Sequence, residues 1–149
     1  MRRRLSPDRR LGAAVPVVAL LALFPGCGEN RRAASPGRSA REAGFLVGRW
    51  SGDLRQAGLR PFRVEADIRS LGPDARNPVS YTGIDCRGHW AYLGVREVDY
   101  RFREVIDRGR GGTCKGVGEV SLRRLEGGRL GYAFRGGGVQ SRGVLQRRP

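Results

Sequence analysis

Apolar and polar residues alternate with a period of two along much of the chain after residue 44. The pattern is clearest where Phe62, Val64, Ala66 and Ile68 fall on one side and Arg63, Glu65, Asp67 and Arg69 on the other, which predicts a strand with one buried face. Similar alternation predicts strands near 47–56, 79–84, 88–95, 100–107, 115–125, 129–136 and 139–146, eight in all. Turn-forming runs lie between them: LGPDARNP at 71–78, DRGRGG at 107–112, EGG at 126–128 and GGG at 136–138. Their glycines supply the positive φ values that tight turns need. With no 3.6-residue period after residue 44, helix should be scarce. The expected fold is therefore all-β, an antiparallel meander of about eight strands that closes as a small barrel or folds as a sandwich.

The N-terminal region reads differently. It opens with MRRRLSPDRR, five arginines against one aspartate, and continues through LGAAVPVVALLALF. A charged segment followed by an apolar one is the pattern of an export signal. The apolar run has 14 residues, whereas a helix crossing a bilayer core needs roughly 20, so cleavage is expected rather than a stable span. Phe24, Pro25, Gly26 and Cys27 follow. They resemble the lipobox of bacterial lipoproteins, in which a small residue precedes a cysteine that is acylated before cleavage. Phe24 and Pro25 depart from the usual residues at their positions. The resemblance implies a signal peptide over 1–26 and lipid attachment at Cys27, which would anchor the chain to the bacterial membrane with its domain on the extracytoplasmic side. Arg9 and Arg10 leave both the general and the twin-arginine export routes open.

Residues 27–43 are rich in Gly, Ser, Pro, Ala, Arg and Glu without hydrophobic period, the composition of a flexible tether. The remaining 44–149 suits one domain, small enough to benefit from a covalent brace. The whole chain carries a net charge of +15, and without 1–26 it keeps 24 basic and 13 acidic residues. A field of that sign favours anionic partners such as phospholipid head groups or acidic wall polymers. The bland explanation is that 28 of the 29 basic residues are arginine, a bias a GC-rich genome produces by itself. Three cysteines divide into Cys27 for the lipid and a pair, Cys86 and Cys114, that an oxidising compartment would join as a disulfide. Closing that loop is worth roughly 3–4 kcal/mol in chain entropy. A metal site is not expected, since two isolated cysteines and the single His89 lack ligand spacing, and no cofactor signature is present.

Within the segment FLVGRWSG, Gly48 and Trp50 resemble the Gly-X-Trp opening of lipocalin-like barrels. In that family the tryptophan plugs the barrel base beneath an arginine from the last strand, a part that Arg142 or Arg147 would take. A broader resemblance rests on LVGRW, VSYTG before Cys86 and Gly88, the FREVI stretch, Cys114, GEVSL and LGYAF. Together these look like the extracytoplasmic β domain of actinobacterial lipoproteins, also attached to some membrane serine/threonine kinases. Kinase catalytic motifs are absent from the sequence, so this resemblance implies only a binding or sensor-like module.

Candidate chemistry is sparse. His89, between Gly88 and Trp90 on a predicted strand, suits a solvated or hydrogen-bonded structural role better than that of a general base. Glu104 shares a face with Tyr100 and Phe102 and should point inward, where a carboxylate needs a partner. That partner is an interior arginine or a tyrosine hydroxyl such as Tyr132; alternatively Glu104 lines a polar pocket, and a one-residue bulge would turn it outside. Trp50, Phe62, Trp90, Tyr100, Phe102, Tyr132 and Phe134 either fill the interior or line a ligand cavity. The candidate pocket is thus Glu104, Tyr132 and Trp50. The RGRGG run at 108–112 suits a hairpin loop better than a nucleic-acid contact, and no nucleic-acid partner is expected.

These features lead to the expectation of a membrane-anchored, non-catalytic binding or sensor-like lipoprotein, with a small ligand unidentified. Two alternatives remain: a structural envelope protein resting on anionic lipid or wall polymer, and a hydrolase inhibitor. The basic charge disfavours the last against lysozymes, which are usually basic.

Overall fold

The computed structural model describes residues 43–109, 113, 114 and 116–149. The expected signal peptide, Cys27 and all but the last residue of the expected tether lie outside these. The domain is an eight-stranded closed antiparallel barrel in which every strand pairs with its sequence neighbours and β8 returns to β1. The strands are β1 Gly48–Gln56, β2 Phe62–Ile68, β3 Asn77–Thr82, β4 Cys86–Arg96, β5 Asp99–Gly109, β6 Val117–Arg124, β7 Leu130–Gly136 and β8 Val139–Arg148. Closure runs from Arg49↔Arg148 to Gln56↔Ser141, which rules out the sandwich and leaves no free sheet edge.

The alternation of 62–69 is realised in full on β2, where Phe62, Val64, Ala66 and Ile68 are buried. The remaining inward positions complete a core that includes Trp50, Leu54, Trp90, Phe102, Leu122, Tyr132, Phe134 and Leu145. Eight strands enclose a space just wide enough for side chains to fill, and here the aromatic rings fill most of it. Trp90 packs on Phe102 and stacks on Tyr132, with ring centroids 5.8 and 6.0 Å apart.

Several boundaries differ from the sequence expectation. Asn77 and Pro78, placed by composition in a turn, begin β3, and Asn77 is buried. Its side chain replaces a missing backbone ladder. Oδ1 accepts from the Arg69 and Ser70 amides at 2.8 and 3.1 Å, and Nδ2 donates to the Ser70 and Trp90 carbonyls at 3.0 and 3.1 Å. Asp107–Gly109 extend β5 rather than open a loop, and residues 110–112 of that run lie outside the described residues. Ala43, the last residue assigned to the tether, is fully buried. Helical structure amounts to 3₁₀ turns at Gly44–Leu46 and Glu126–Gly128 among the described residues.

One end of the barrel is plugged. The Gly44–Leu46 turn folds across it, and the Trp50 indole Nε1 donates to the Leu46 carbonyl at 2.7 Å. Arg147, not Arg142, lies over Trp50 with its guanidinium 4.7 Å from the ring. It also donates to the Val47 carbonyl at 2.9 Å and to the Phe45 carbonyl. Gly48 is required beneath it: its φ is 136°, and a Cβ there would fall on the guanidinium. Gly48 and Trp50 are thus parts of one physical arrangement of turn, ring and arginine. At the opposite end Cys86 and Cys114 form a disulfide with Cα atoms 5.8 Å apart.

Candidate functional site

Four strands deliver one buried polar cluster to the unplugged half of the barrel. Tyr81 comes from β3, Trp90 from β4, Glu104 from β5 and Tyr132 from β7. Trp90 and Glu104 are directly opposed in the β4–β5 register, so the indole N–H meets the carboxylate across one strand pair. Glu104 Oε2 accepts from Trp90 Nε1 at 2.8 Å and from the Tyr81 hydroxyl in a short bond. The Tyr81 and Tyr132 hydroxyls lie 3.3 Å apart, and the Ser141 hydroxyl bonds Tyr132. No buried side-chain nitrogen or oxygen among the described residues lacks a partner.

Glu104 is 4% exposed. Its burial raises the carboxyl above the usual glutamate range, and the bonds from Tyr81 and Trp90 only partly offset that. Desolvation, reinforced by the neighbouring Glu104 charge, drives both tyrosines up and keeps them neutral. The cluster presents a hydrogen-bonded polar floor whose carboxyl gives up its proton less readily than a free glutamate.

Above that floor is a cavity of about 30 Å³, walled by Phe62, Ile106, Phe134, Val139 and Cys114. Such a space admits one or two waters, not a drug-sized ligand, for which pockets of roughly 300 Å³ and more are usual. The barrel interior is filled in this structure. The sequence-predicted pocket is accordingly split. Glu104 and Tyr132 come together, bridged by Tyr81, whereas Trp50 belongs to the plug at the other end. Of the partners expected for Glu104, no arginine among the described residues bonds it, and Tyr132 acts through Tyr81. The β4–β5 register shifts twice, once where Asp107 is the extra residue on β5 and once where Leu93 is the extra residue on β4, but it is unbroken from His89↔Val105 to Tyr92↔Phe102, and the β5–β6 register is continuous past Glu104. Glu104 therefore remains inside. Tyr81 was the residue missed, although its signal was present: it follows Val79 at a spacing of two on a predicted strand.

His89 sits outside the barrel, its Nδ1 2.9 Å from Asp107 Oδ2 and 3.1 Å from the Arg76 guanidinium. The bond with His89, ahead of the nearby Arg76 and Arg108 charges, holds the Asp107 carboxyl below its ordinary range. Tyr100, expected in the core, is half-buried and packs edge-on against Phe45, with centroids 5.3 Å apart.

The larger concavity is external. A shallow groove of about 530 Å³ crosses the outer face of β1–β4 and carries Arg49, Arg87 and Arg148 beside Ser80, Glu65 and Asp67. Glu65 and Asp67 already face Arg63 and Arg69 at 3.8 and 2.7 Å, which leaves the other arginines as the groove's dominant charges.

Comparisons of the chain with protein-family models, curated proteins and solved structures return no match. The reading of the site rests on its geometry.

Proposed function

We propose that this protein is an exported lipoprotein, anchored through Cys27, whose barrel serves as a non-catalytic binding or sensor-like module on the extracytoplasmic side. The observation that carries the binding mode is the filled interior. With Trp50, Trp90 and Phe102 occupying the barrel and about 30 Å³ left above Glu104, recognition falls to the outer surface. There the groove with Arg49, Arg87 and Arg148 suits a ligand bearing several negative charges. The disulfide supports export, because such bonds persist in oxidising compartments. The lipobox-like run at 24–27 and the short apolar stretch before it support the anchor.

Intact-mass analysis of the protein from its native membrane, with and without reduction, tests the address. A diacylglyceryl-bearing chain starting at Cys27 that gains two hydrogens on reduction is expected; an unmodified chain starting elsewhere overturns the anchor. Titration of the oxidised protein with a polyphosphate tests the binding mode. Saturable binding that weakens on Arg87→Glu is expected. Binding that never saturates and disappears at moderate salt would favour the structural-envelope alternative.

A further inference from the structure

The two ends of the barrel differ in what they expose. Four of the six large exposed apolar residues among the described residues lie at the plugged end: Val47 at 40%, Leu93 at 57%, Val95 at 43% and Val98 at 60%. Three of these belong to the β4–β5 hairpin, where a register shift between Tyr92 and Gly94 leaves Leu93 without a cross-strand partner. Val95 is opposite Tyr100, whose ring meets Phe45, which in turn lies 4.6 Å beneath the Arg124 guanidinium. Apolar hairpin, aromatic pair and arginine thus adjoin one another rather than being scattered singly.

Charge at this end complements the apolar tip. Arg96, Arg124 and Arg129 are exposed at it. Of the acids beside them, Asp99 is engaged by Arg123 at 2.6 and 2.9 Å, and Glu97 also acts on Arg123. Aliphatic residues beside amphipathic rings and arginines suit the boundary between acyl chains and anionic head groups.

The same end receives the chain from its proposed anchor. Ala43 and the Gly44–Leu46 turn lie there, and fifteen residues separate Ala43 from Cys27. A chain of that length reaches at most about 55 Å, so a lipid on Cys27 keeps this end of the barrel near the bilayer.

We propose that the plugged end, led by Leu93, Val95 and Val98 with Arg96 and Arg124 beside them, docks on an anionic phospholipid surface. The inference builds on the lipoprotein reading and adds an orientation. The hairpin tip enters the head-group layer, and the disulfide-bearing end with Glu104 and its cavity faces away from the membrane.

The test uses the mature chain carrying Cys27→Ser, so that no acyl chain contributes, and vesicles of phosphatidylcholine with or without phosphatidylglycerol. Partition onto the phosphatidylglycerol vesicles should fall at least about tenfold in Leu93→Glu/Val98→Glu. It should fall far less in Val117→Glu/Val144→Glu, which adds equal charge at exposed positions elsewhere. Equal loss in both pairs, or no partition by the parent chain, overturns the proposal. A separate variant, Val98→Trp, requires no loss of binding: its emission should shift blue and be quenched by brominated lipid, and unchanged emission would also overturn it. Failure of acylation at Cys27 in the native membrane defeats the anchor alone, because these vesicle measurements do not depend on it.

Discussion

The plugged and unplugged halves of this barrel solve the problem of a closed end by different physical means. At the plugged end a short turn is drawn over Trp50 by an indole hydrogen bond, an arginine stacked on the ring and carbonyls satisfied by that arginine. At the other end a disulfide holds the rim, and a buried carboxyl bonded by Tyr81 and Trp90, with Tyr132 reaching it through Tyr81, forms the floor. The first arrangement is mainly apolar packing finished by local polar contacts. The second places an ionisable group where desolvation works against its charge, so its stability should respond to pH and redox state. Part of a small barrel can thus be made condition-dependent while the rest is held by packing and contacts that carry no buried ionisable acid.

Substitutions that separate the halves should differ in size. Trp50→Ala should be the most costly, about 3–5 kcal/mol for a buried tryptophan, read from denaturant unfolding. A loss below about 1 kcal/mol would show that the turn can close this end without the ring. Replacing both Cys86 and Cys114 with serine should cost roughly 3–4 kcal/mol, and reductant should lower the melting temperature of the parent but not of that variant. Gly109 belongs to the same device, since a Cβ there would fall on Cys114 Sγ. Its replacement by alanine should hinder oxidation, checked by thiol titration of the refolded protein.

Asn77→Ala removes four hydrogen bonds that join the β2–β3 connection to β4 and should cost about 2 kcal/mol, since the buried groups left behind lose their partners. Protease sensitivity within 69–76 should rise ahead of global unfolding; an unchanged cleavage pattern would show that the loop does not depend on this side chain.

The pH response should be the smallest effect and the most diagnostic. Because the folded Glu104 carboxyl is raised above its ordinary value of 4.5, the native state binds the proton more tightly than the unfolded chain. Its stabilising contribution is fully present below that value and is lost as pH rises through the folded one. Glu104→Gln keeps an acceptor for Tyr81 and Trp90 yet cannot ionise, so its stability relative to the parent should improve from pH 4 to pH 8. A pH-independent difference would mean that the carboxyl is not raised.

Much of the fold could be read from alternation and glycine-rich turns, because a half-buried strand imposes a period of two on side-chain polarity. The eight strands and the inward direction of Glu104 are of this kind, whereas the pairing of Cys86 with Cys114 followed from counting cysteines. Asn77 was misplaced because asparagine is a turn former by composition, and only a tertiary environment with four complementary backbone groups makes it a buried one. Trp50 was grouped with Glu104 and Tyr132 because parity along a strand reveals which side faces inward but not how far along the barrel axis a residue lies.

By itself the sequence determined the strand pattern, the turns between strands and most of the inward positions. Local polarity and turn chemistry encode those features directly. Only the tertiary structure decided that the sheet closes, that Arg147 is the residue over Trp50, that Tyr81 bridges Glu104 and Tyr132, and that the interior is filled. Each of these depends on strand register and on side-chain volume meeting from across the barrel, which no single segment of sequence contains.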